Sequence, residues 1–533
     1  MQLYHGSRDL TPIVLSRTFQ LPNPVQELAS AARSVSYSHR HLSRSRSFFL
    51  DRRHQYHSSK STHDKASPST PNSDSHALPR NGSSKQGQTK EQKASHVTDW
   101  DDHPDLSISN FSELPEKNLG VNQHMIINNE FKKALRQIIW RFRAPIRYAV
   151  AYGSGVFPQQ RQKKTSKSST HSTLHPNAPD AIAKAQDGEQ KMVDFIFGVS
   201  YSQHWHSLNL HEHRDHYSAV GSLGSYAVSK LQDSFGAGIY FNPYVAVDGT
   251  LIKYGVVNMD TLCRDLSEWD TLYLAGRLQK PVKILRDHPS VRLANQVNLI
   301  SALRTALLLL PPDFTELELY STIASISYMG DLRMSLLAED ARKVLNIVQS
   351  QLPKFRALYA PVIETLPNIS FNDSACKAHD WFDNPDISAK LAQDMDPVKR
   401  GNMVRRLPKR FREKLYFEYQ GKFGIPRVEF DKMMQECKEN EDGQGFKKQQ
   451  GGLFEQRIAK DREGIKTEVR QVIEKTIRWP TLVQTLKGLV TAGVGRSWRY
   501  IREKRAKHLA REAQRKEQDA RRVMQEKKTS KKA

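Results

Sequence analysis

Apolar and polar residues follow three rhythms along this chain, and each rhythm predicts a different kind of element. Phe131, Leu135, Ile138, Ile139 and Phe142 recur at helical spacing, which predicts an amphipathic helix that Pro145 ends. Tyr148 to Tyr152 is a continuous apolar run that breaks into Gly153-Ser154-Gly155, the pattern of a buried strand ending in a tight turn. Met192 to Phe197 is a second apolar run, and Asp194 is its one carboxylate. Two more strands follow, one opening at Gly236–Asn242 and one over Leu251–Val257. From about 261 to 365 the pattern turns helical, through Leu262, Leu266, Trp269 and Leu272, then Leu299 to Leu310, then Leu332 to Leu352. The run at Leu299–Leu310 contains Arg304 and is about a dozen residues long, too short to span a bilayer, so it predicts a core helix.

These rhythms order the chain. Residues 28–50 hold seven serines, Arg33, Arg40, Arg44 and Arg46, and no acid, the composition of an organellar transit peptide, assigned to 1–53. Residues 54–117 are polar and read as a disordered linker. Order begins near Asn118. An α+β domain is expected over 118–260, with 159–190 as a polar low-complexity insert, then a helical module over 261–370 and an extension over 371–475. The last section, 476–533, combines an amphipathic helix with a basic tail. Leu482, Val483, Leu486, Leu489 and Val490 share one helical face, with Trp479 and Trp498 at its ends.

Charge sharpens the picture. The formal net charge is +24, which calls for a polyanionic surrounding: nucleic acid, an anionic membrane surface or phosphate-rich substrates. From Arg496 to Ala533 there are 15 Lys and Arg against 5 Asp and Glu, so that tail carries +10 of the total. Cys263, Cys376 and Cys437 are odd in number and far apart, which excludes a disulfide framework and fits a reducing compartment.

Candidate chemistry centres on the glycine turn and Asp194. Gly153 and Gly155 permit a tight bend that bares backbone N–H groups toward a phosphate, and Ser154 adds a hydroxyl. A carboxylate among Val193, Phe195 and Ile196 needs a metal ion or a cation to offset its desolvation. Lys253, inside an apolar strand, needs an anion. Arg277, Lys280 and Lys283 form a basic cluster open to two readings, phosphate contact and a solvated loop. His204, His206, His211, His213 and His216 match no zinc spacing and read as a charged helix surface or a substrate-facing loop, with a structural metal at His211-Glu-His213 and His216 as the lesser reading.

Six stretches in order, Tyr-Gly-Ser-Gly-Val-Phe from Tyr152, Val-Asp-Phe-Ile-Phe-Gly-Val from Val193, His-Trp-His-Ser-Leu-Asn-Leu from His204, Gly-Ala-Gly-Ile-Tyr-Phe-Asn from Gly236, Ile-Lys-Tyr-Gly-Val from Ile252 and Leu-Tyr-Leu-Ala-Gly-Arg-Leu-Gln-Lys-Pro-Val-Lys from Leu272, resemble one family. It is the mitochondrial translocator assembly and maintenance protein family, phosphatidate cytidylyltransferases of the inner membrane. The resemblance covers about 119–370 and resumes near 380–500. It implies a nucleotidyltransferase-fold domain, a helical (winged-helix-like) domain and a C-terminal amphipathic helix. It also implies Mg²⁺-dependent joining of CTP to phosphatidic acid, with pyrophosphate and CDP-diacylglycerol as products, on the matrix side of the inner membrane. By family pattern Gly153, Ser154 and Gly155 hold CTP phosphates and Asp194 binds Mg²⁺. Arg277 and Lys280 stand as further nucleotide contacts, Asp194 and Lys253 as catalytic residues, and Trp479, Leu482, Leu486 and Trp498 as the membrane contact. The chain departs from the broad fold at one point: Ile196 stands where a second metal-strand acid is usual, so another ligand, such as substrate phosphates or Asp265, is needed. Rival readings are an RNA-end nucleotidyltransferase, although no RNA-binding aromatic signature is present and no nucleic-acid partner is expected, and a non-enzymatic assembly factor for import machinery.

Overall fold

The computed structural model describes residues 120–158, 177–186, 191–331, 343–371, 373–377, 380–442 and 451–493. The expected leader and linker, most of the 159–190 insert, and the basic tail with Trp498 lie outside the described residues.

The first part is a mixed five-stranded sheet in the order β3-β4-β2-β1-β5, formed by β1 (Tyr148–Tyr152), β2 (Val193–Val199), β3 (Ile239–Val247), β4 (Thr250–Asn258) and β5 (Lys283–Arg286). β2 and β4 run parallel and the other pairs run antiparallel. The predicted strands at 148, 193 and 251 are present because each is a near-continuous apolar run, as a strand covered on both faces requires. The sheet does not end at residue 260, where the sequence divides by pattern. β5 adds a strand at the β1 edge, so part of the section expected to be helical belongs to the sheet. Lys283 sits in this strand with its ammonium buried, donating to the Met125 carbonyl at 2.8 Å. It therefore takes no part in the basic cluster with Arg277 and Lys280.

Alternation of side chains gives the sheet two different faces. On one, Phe197 and Tyr254 stack with Phe142 and Trp205, under the helix Ser202–Glu212. On the other, Gly198 leaves no room for a side chain: a Cβ there would lie 2.7 Å from Met259 Sδ and 3.1 Å from Tyr148 Cβ. That closeness lets the helix Met259–Glu268 pack directly on β2 and β4.

Two of the five histidines overturn the expectation of a charged surface. His206 and His216 are buried. His206 hydrogen-bonds Tyr217 at 2.8 Å and Gln232 at 2.9 Å, and burial pushes its pKa down to about 4, so it is a neutral core residue. His216 hydrogen-bonds the Tyr254 hydroxyl at 3.0 Å.

The insert is also more than a surface loop. Within it, Asp180–Ala185 form a helix, and Ile182 is fully buried. Gln186 then donates to the carbonyls of Gly155 and Lys191 at 3.0 and 2.8 Å and accepts from Lys191 N–H at 2.7 Å, tying the glycine turn to the start of β2.

The helical part is built around Pro289–Leu309, with the helices Glu316–Ile326, Lys343–Ser350 and Leu352–Glu364, and a small antiparallel sheet of β6 (Asp313–Thr315), β8 (Lys390–Gln393) and β7 (Ile369–Ser370). Glu316 and Arg356 pair at 3.0 Å with neither side chain exposed, and the Trp381 indole, the Ala389 N–H and the Tyr320 hydroxyl also donate to the carboxylate. One hydrophobic core runs through both parts, from Met125 to Ile477.

The 31-residue helix Arg462–Ala492 crosses the expected boundary at 475 and changes character near Pro480. Before it, Ile465, Val469, Val472, Ile473 and Ile477 are buried. After it, the buried positions are polar: Thr481, Gln484, Lys487 and Thr491. Gln484 donates to Ile239 C=O, and Lys487 donates to the carbonyls of Gln232 and Phe235, both at 3.0 Å. The Phe235 carbonyl lies just past the end of the helix Gly224–Ser234, where a cation complements the helix dipole. Burial still drives the Lys487 ammonium down to about 7. The opposite side of the same turns faces outward and is apolar: Trp479 is 60% exposed, Leu486 55% and Val490 54%. No helix among the described residues is long and apolar enough to cross a membrane.

Candidate active site

Strand register builds the centre of the site. Tyr152 on β1 lies opposite Asp194 on β2, and Asp194 lies beside Lys253 on β4, so three side chains form a row on one face across three adjacent strands. Every other residue of β2 is buried, and Asp194 alone is open, with its side chain about a quarter exposed. The Lys253 ammonium stands 3.5 Å from Asp194 Oδ1 and 4.5 Å from the Phe241 ring centroid. The two opposite charges are close enough to pair across the partly exposed cleft. Burial, and after it the Asp194 carboxylate, push the Tyr152 phenol above its ordinary range, while Lys253 and Arg277 pull it down.

The glycine turn closes the end of the row. Gly153 has φ +80°, and a Cβ there would come 3.3 Å from Asp194 Oδ2. Glycine is thus needed for the backbone conformation and for access to the carboxylate. At Gly155 a Cβ would meet the Met192 carbonyl at 2.5 Å. Backbone cannot swing aside as a side chain can, so Gly155→Ala should separate the turn from β2, at a cost of about 1–3 kcal/mol. The expected result is a lower thermal midpoint together with at least about tenfold weaker binding of inorganic pyrophosphate as a phosphate probe, tenfold being about 1.4 kcal/mol. Calorimetry on the full chain checks both, and an alanine variant that matches wild type would show that the turn tolerates displacement.

The second wall comes from the segment after Trp269. Asp265, the distant acid considered as a metal ligand, is not one. Both its oxygens are taken up by the N–H groups of Thr271, Leu272, Leu274 and Ala275 and by the Thr271 hydroxyl, at 2.7–3.0 Å. Its work is to fold residues 271–275 into a tight bend. That bend presents Tyr273 and Arg277, whose guanidinium lies over the Tyr273 ring at 3.8 Å and donates to the Tyr273 carbonyl. Lys280 follows, with its ammonium 2.7 Å from Ser327 Oγ. Tyr152, Tyr273 and Gln186 are site-shaping residues that periodicity does not single out. Tyr152 ends an apolar run, Tyr273 lies within one, and Gln186 lies inside a low-complexity stretch.

The donors around the turn are hard oxygens, the Asp194 carboxylate and the neighbouring Ser154 hydroxyl, on residues that are partly exposed. This set fits Mg²⁺, which keeps several waters and is commonly held by one or two carboxylates plus substrate phosphates. Among the described residues, the one group of three His, Cys, Asp or Glu side chains close enough to surround an ion is His213, Asp215 and His216, within 4.8 Å of one another. It is separate from Asp194, because His216 bonds Tyr254 on the other face of the sheet.

Known proteins match this chain across the site. A family model described as phosphatidate cytidylyltransferase, mitochondrial, matches residues 135–507, which include every residue of the row, the turn and the second wall. A Schizosaccharomyces pombe protein of that name is 43% identical over 265 residues, 49% of this chain and 62% of the relative. The Xenopus laevis protein of the same name is 35% identical over 376 residues, 70% of this chain and 94% of the relative. In Saccharomyces cerevisiae the figures are 39% over 268 residues, 50% and 63%. The chain thus spans under two thirds of the yeast relatives and nearly all of the frog one. It belongs to the mitochondrial phosphatidate cytidylyltransferase family.

Proposed function

We propose that the protein transfers the cytidylyl group of CTP to phosphatidic acid, forming CDP-diacylglycerol and pyrophosphate for phosphatidylglycerol and cardiolipin synthesis. The observation that carries this reading is the row Tyr152–Asp194–Lys253 open beside the Gly153-Ser154-Gly155 turn. A phosphate oxygen of phosphatidic acid attacks the α-phosphorus of CTP, the new P–O bond forms, and the bond to the β-phosphate oxygen breaks with pyrophosphate leaving. A phosphate monoester is mostly dianionic at neutral pH, so its attacking oxygen carries no proton to remove. No general base is required, and a lone carboxylate on the metal strand suffices. The difficulty is instead repulsion between two anions. Lys253 and Arg277 reduce it, the turn's N–H groups and the Ser154 hydroxyl hold the phosphates, and Asp194 would hold Mg²⁺. When bound, Mg²⁺ would neutralise charge that builds up on the leaving pyrophosphate. A nucleotidyltransferase-type first domain and a winged-helix-like second one fit the mixed sheet and the small β6-β8-β7 sheet.

We place the enzyme peripherally on the matrix face of the mitochondrial inner membrane. Support comes from the outward apolar stripe Trp479–Leu486–Leu489–Val490, beside a half-buried Leu482, with Leu223, Tyr226 and Phe235 also exposed in the neighbouring segment that Lys487 and Ser218 bond to the helix. A stripe of this kind beside a basic tail suits an anionic bilayer surface. The decisive assay is purified full chain with CTP, Mg²⁺ and phosphatidic acid vesicles. CDP-diacylglycerol and pyrophosphate in equal amounts support the reading. Folded protein that forms neither, or that extends RNA ends instead, would replace it with the assembly-factor or RNA reading.

A further inference from the structure

The first turn of the helix Leu352–Glu364 carries a lysine whose surroundings oppose its charge on three counts. Lys354 is half-buried, and burial lowers its ammonium from the ordinary lysine range with no neighbouring charge to offset the shift. Its place at a helix start sets it against the positive end of the dipole, and that first turn contains no acid. Among the described residues its ammonium has no hydrogen bond and no carboxylate partner; what it meets is the Phe157 ring, whose centroid lies 5.7 Å away. An aromatic face offsets only part of the cost of desolvating an ammonium. Phe157 fixes where in the fold this happens. The N–H groups of Phe157 and Val156 donate to the Gly153 carbonyl at 2.9 and 3.1 Å, so Phe157 closes the Gly153-Ser154-Gly155 turn, and its side chain is buried there. The helical part thus brings a cation up to the same turn that bares N–H groups from the sheet part. A half-desolvated cation held beside a phosphate-type turn, with no anion of its own, marks a place where a ligand supplies one.

We propose that Lys354 is a contact of the helical part to the polyphosphate end of CTP, meeting from one side the phosphates that the glycine turn holds from the other. The phosphate supplies the anion, and the ammonium becomes a charge-assisted donor to it. The four-carbon stem of lysine is flexible enough to reach past the Phe157 ring. The assignment to CTP rests on the cytidylyl-transfer reading; the phosphate contact does not. Nucleotide bound in this way bridges the sheet part and the helical part, and the helical part becomes a component of the site.

The test uses full-length Lys354→Met, which removes the charge and keeps most of the side chain, and Lys354→Arg, which keeps the charge. Binding of inorganic pyrophosphate is measured by calorimetry, with the thermal midpoint of the ligand-free protein alongside, and KM is measured separately for CTP and for phosphatidic acid in vesicles. The methionine variant is expected to bind pyrophosphate at least about tenfold more weakly, with a matching rise in the CTP KM and no change in the phosphatidic acid KM. Its thermal midpoint should stay level or rise, because a charge that the fold desolvates is gone. The arginine variant should restore most of the binding. A folded methionine variant that matches wild type in pyrophosphate binding and in the CTP KM overturns the proposal, whatever the phosphatidic acid KM does. A lower thermal midpoint with equal loss of binding in both variants also overturns it, since that is the behaviour of a packing residue. Should Lys354→Met fail to fold, Lys354→Gln carries the same measurements. If wild type forms no CDP-diacylglycerol yet the methionine variant still loses pyrophosphate binding, the phosphate contact stands and the functional reading falls.

Discussion

Asp194→Asn should lower kcat by at least about a thousandfold, equivalent to about 4 kcal/mol of lost transition-state stabilisation, with the fold intact. The substitution keeps shape and removes one negative charge. Three consequences follow at the site. The one open carboxylate on β2, which on the cytidylyl-transfer reading would hold Mg²⁺, is gone. Lys253 loses the carboxylate at 3.5 Å. Tyr152, opposite Asp194 in register, loses the charge that raises its phenol. Stability should change little, because the Asp194 side chain is about a quarter exposed and water can solvate the amide. The check is product formation over a Mg²⁺ titration, with the thermal midpoint measured alongside. An Asn variant with near-normal turnover would mean that another residue holds the metal.

Replacing Leu486 and Val490 together with Glu should release the protein from anionic vesicles. Both side chains are more than half exposed, so the fold loses almost no packing. At a bilayer they would change from buried apolar groups to charges facing an anionic surface. Losing the burial of two aliphatic side chains costs about 3 kcal/mol or more, a hundredfold or larger drop in partition. Sedimentation with phosphatidic acid vesicles reads the effect directly. Activity on vesicles should fall in parallel, while CTP binding and activity on a water-soluble short-chain phosphatidic acid remain. Unchanged sedimentation would remove the stripe from the membrane contact.

How much of this was legible in the sequence depended on whether a residue's role is set by its neighbours in the chain or by distant ones. β1, β2 and β4 could be read because a doubly covered strand is an unbroken apolar run, and Asp194 stood out by breaking one. β5 could not, because it has four residues and begins with Lys283, whose burial depends on the Met125 carbonyl 158 residues away. The outward stripe of the long helix followed from spacing. Its polar buried side did not, since Gln484 and Lys487 are buried only by virtue of acceptors on β3 and around the end of the helix Gly224–Ser234. Asp265 misled for a similar reason: nothing in its sequence neighbourhood says that both its oxygens are spent on the bend that follows it. His206 is the same case, a titratable residue made neutral by its burial among distant elements, where it bonds Tyr217 and Gln232.

The row Tyr152–Asp194–Lys253 has a consequence for how the protein is prepared. Because strand side chains alternate, a slip of β2 by one residue would turn Asp194 into the aromatic layer of Phe142 and Trp205 and leave Val193 or Phe195 facing Lys253. Such a molecule could keep most of its secondary structure and be catalytically dead. Turnover per molecule after refolding from denaturant therefore counts correctly threaded chains, a property that circular dichroism does not detect.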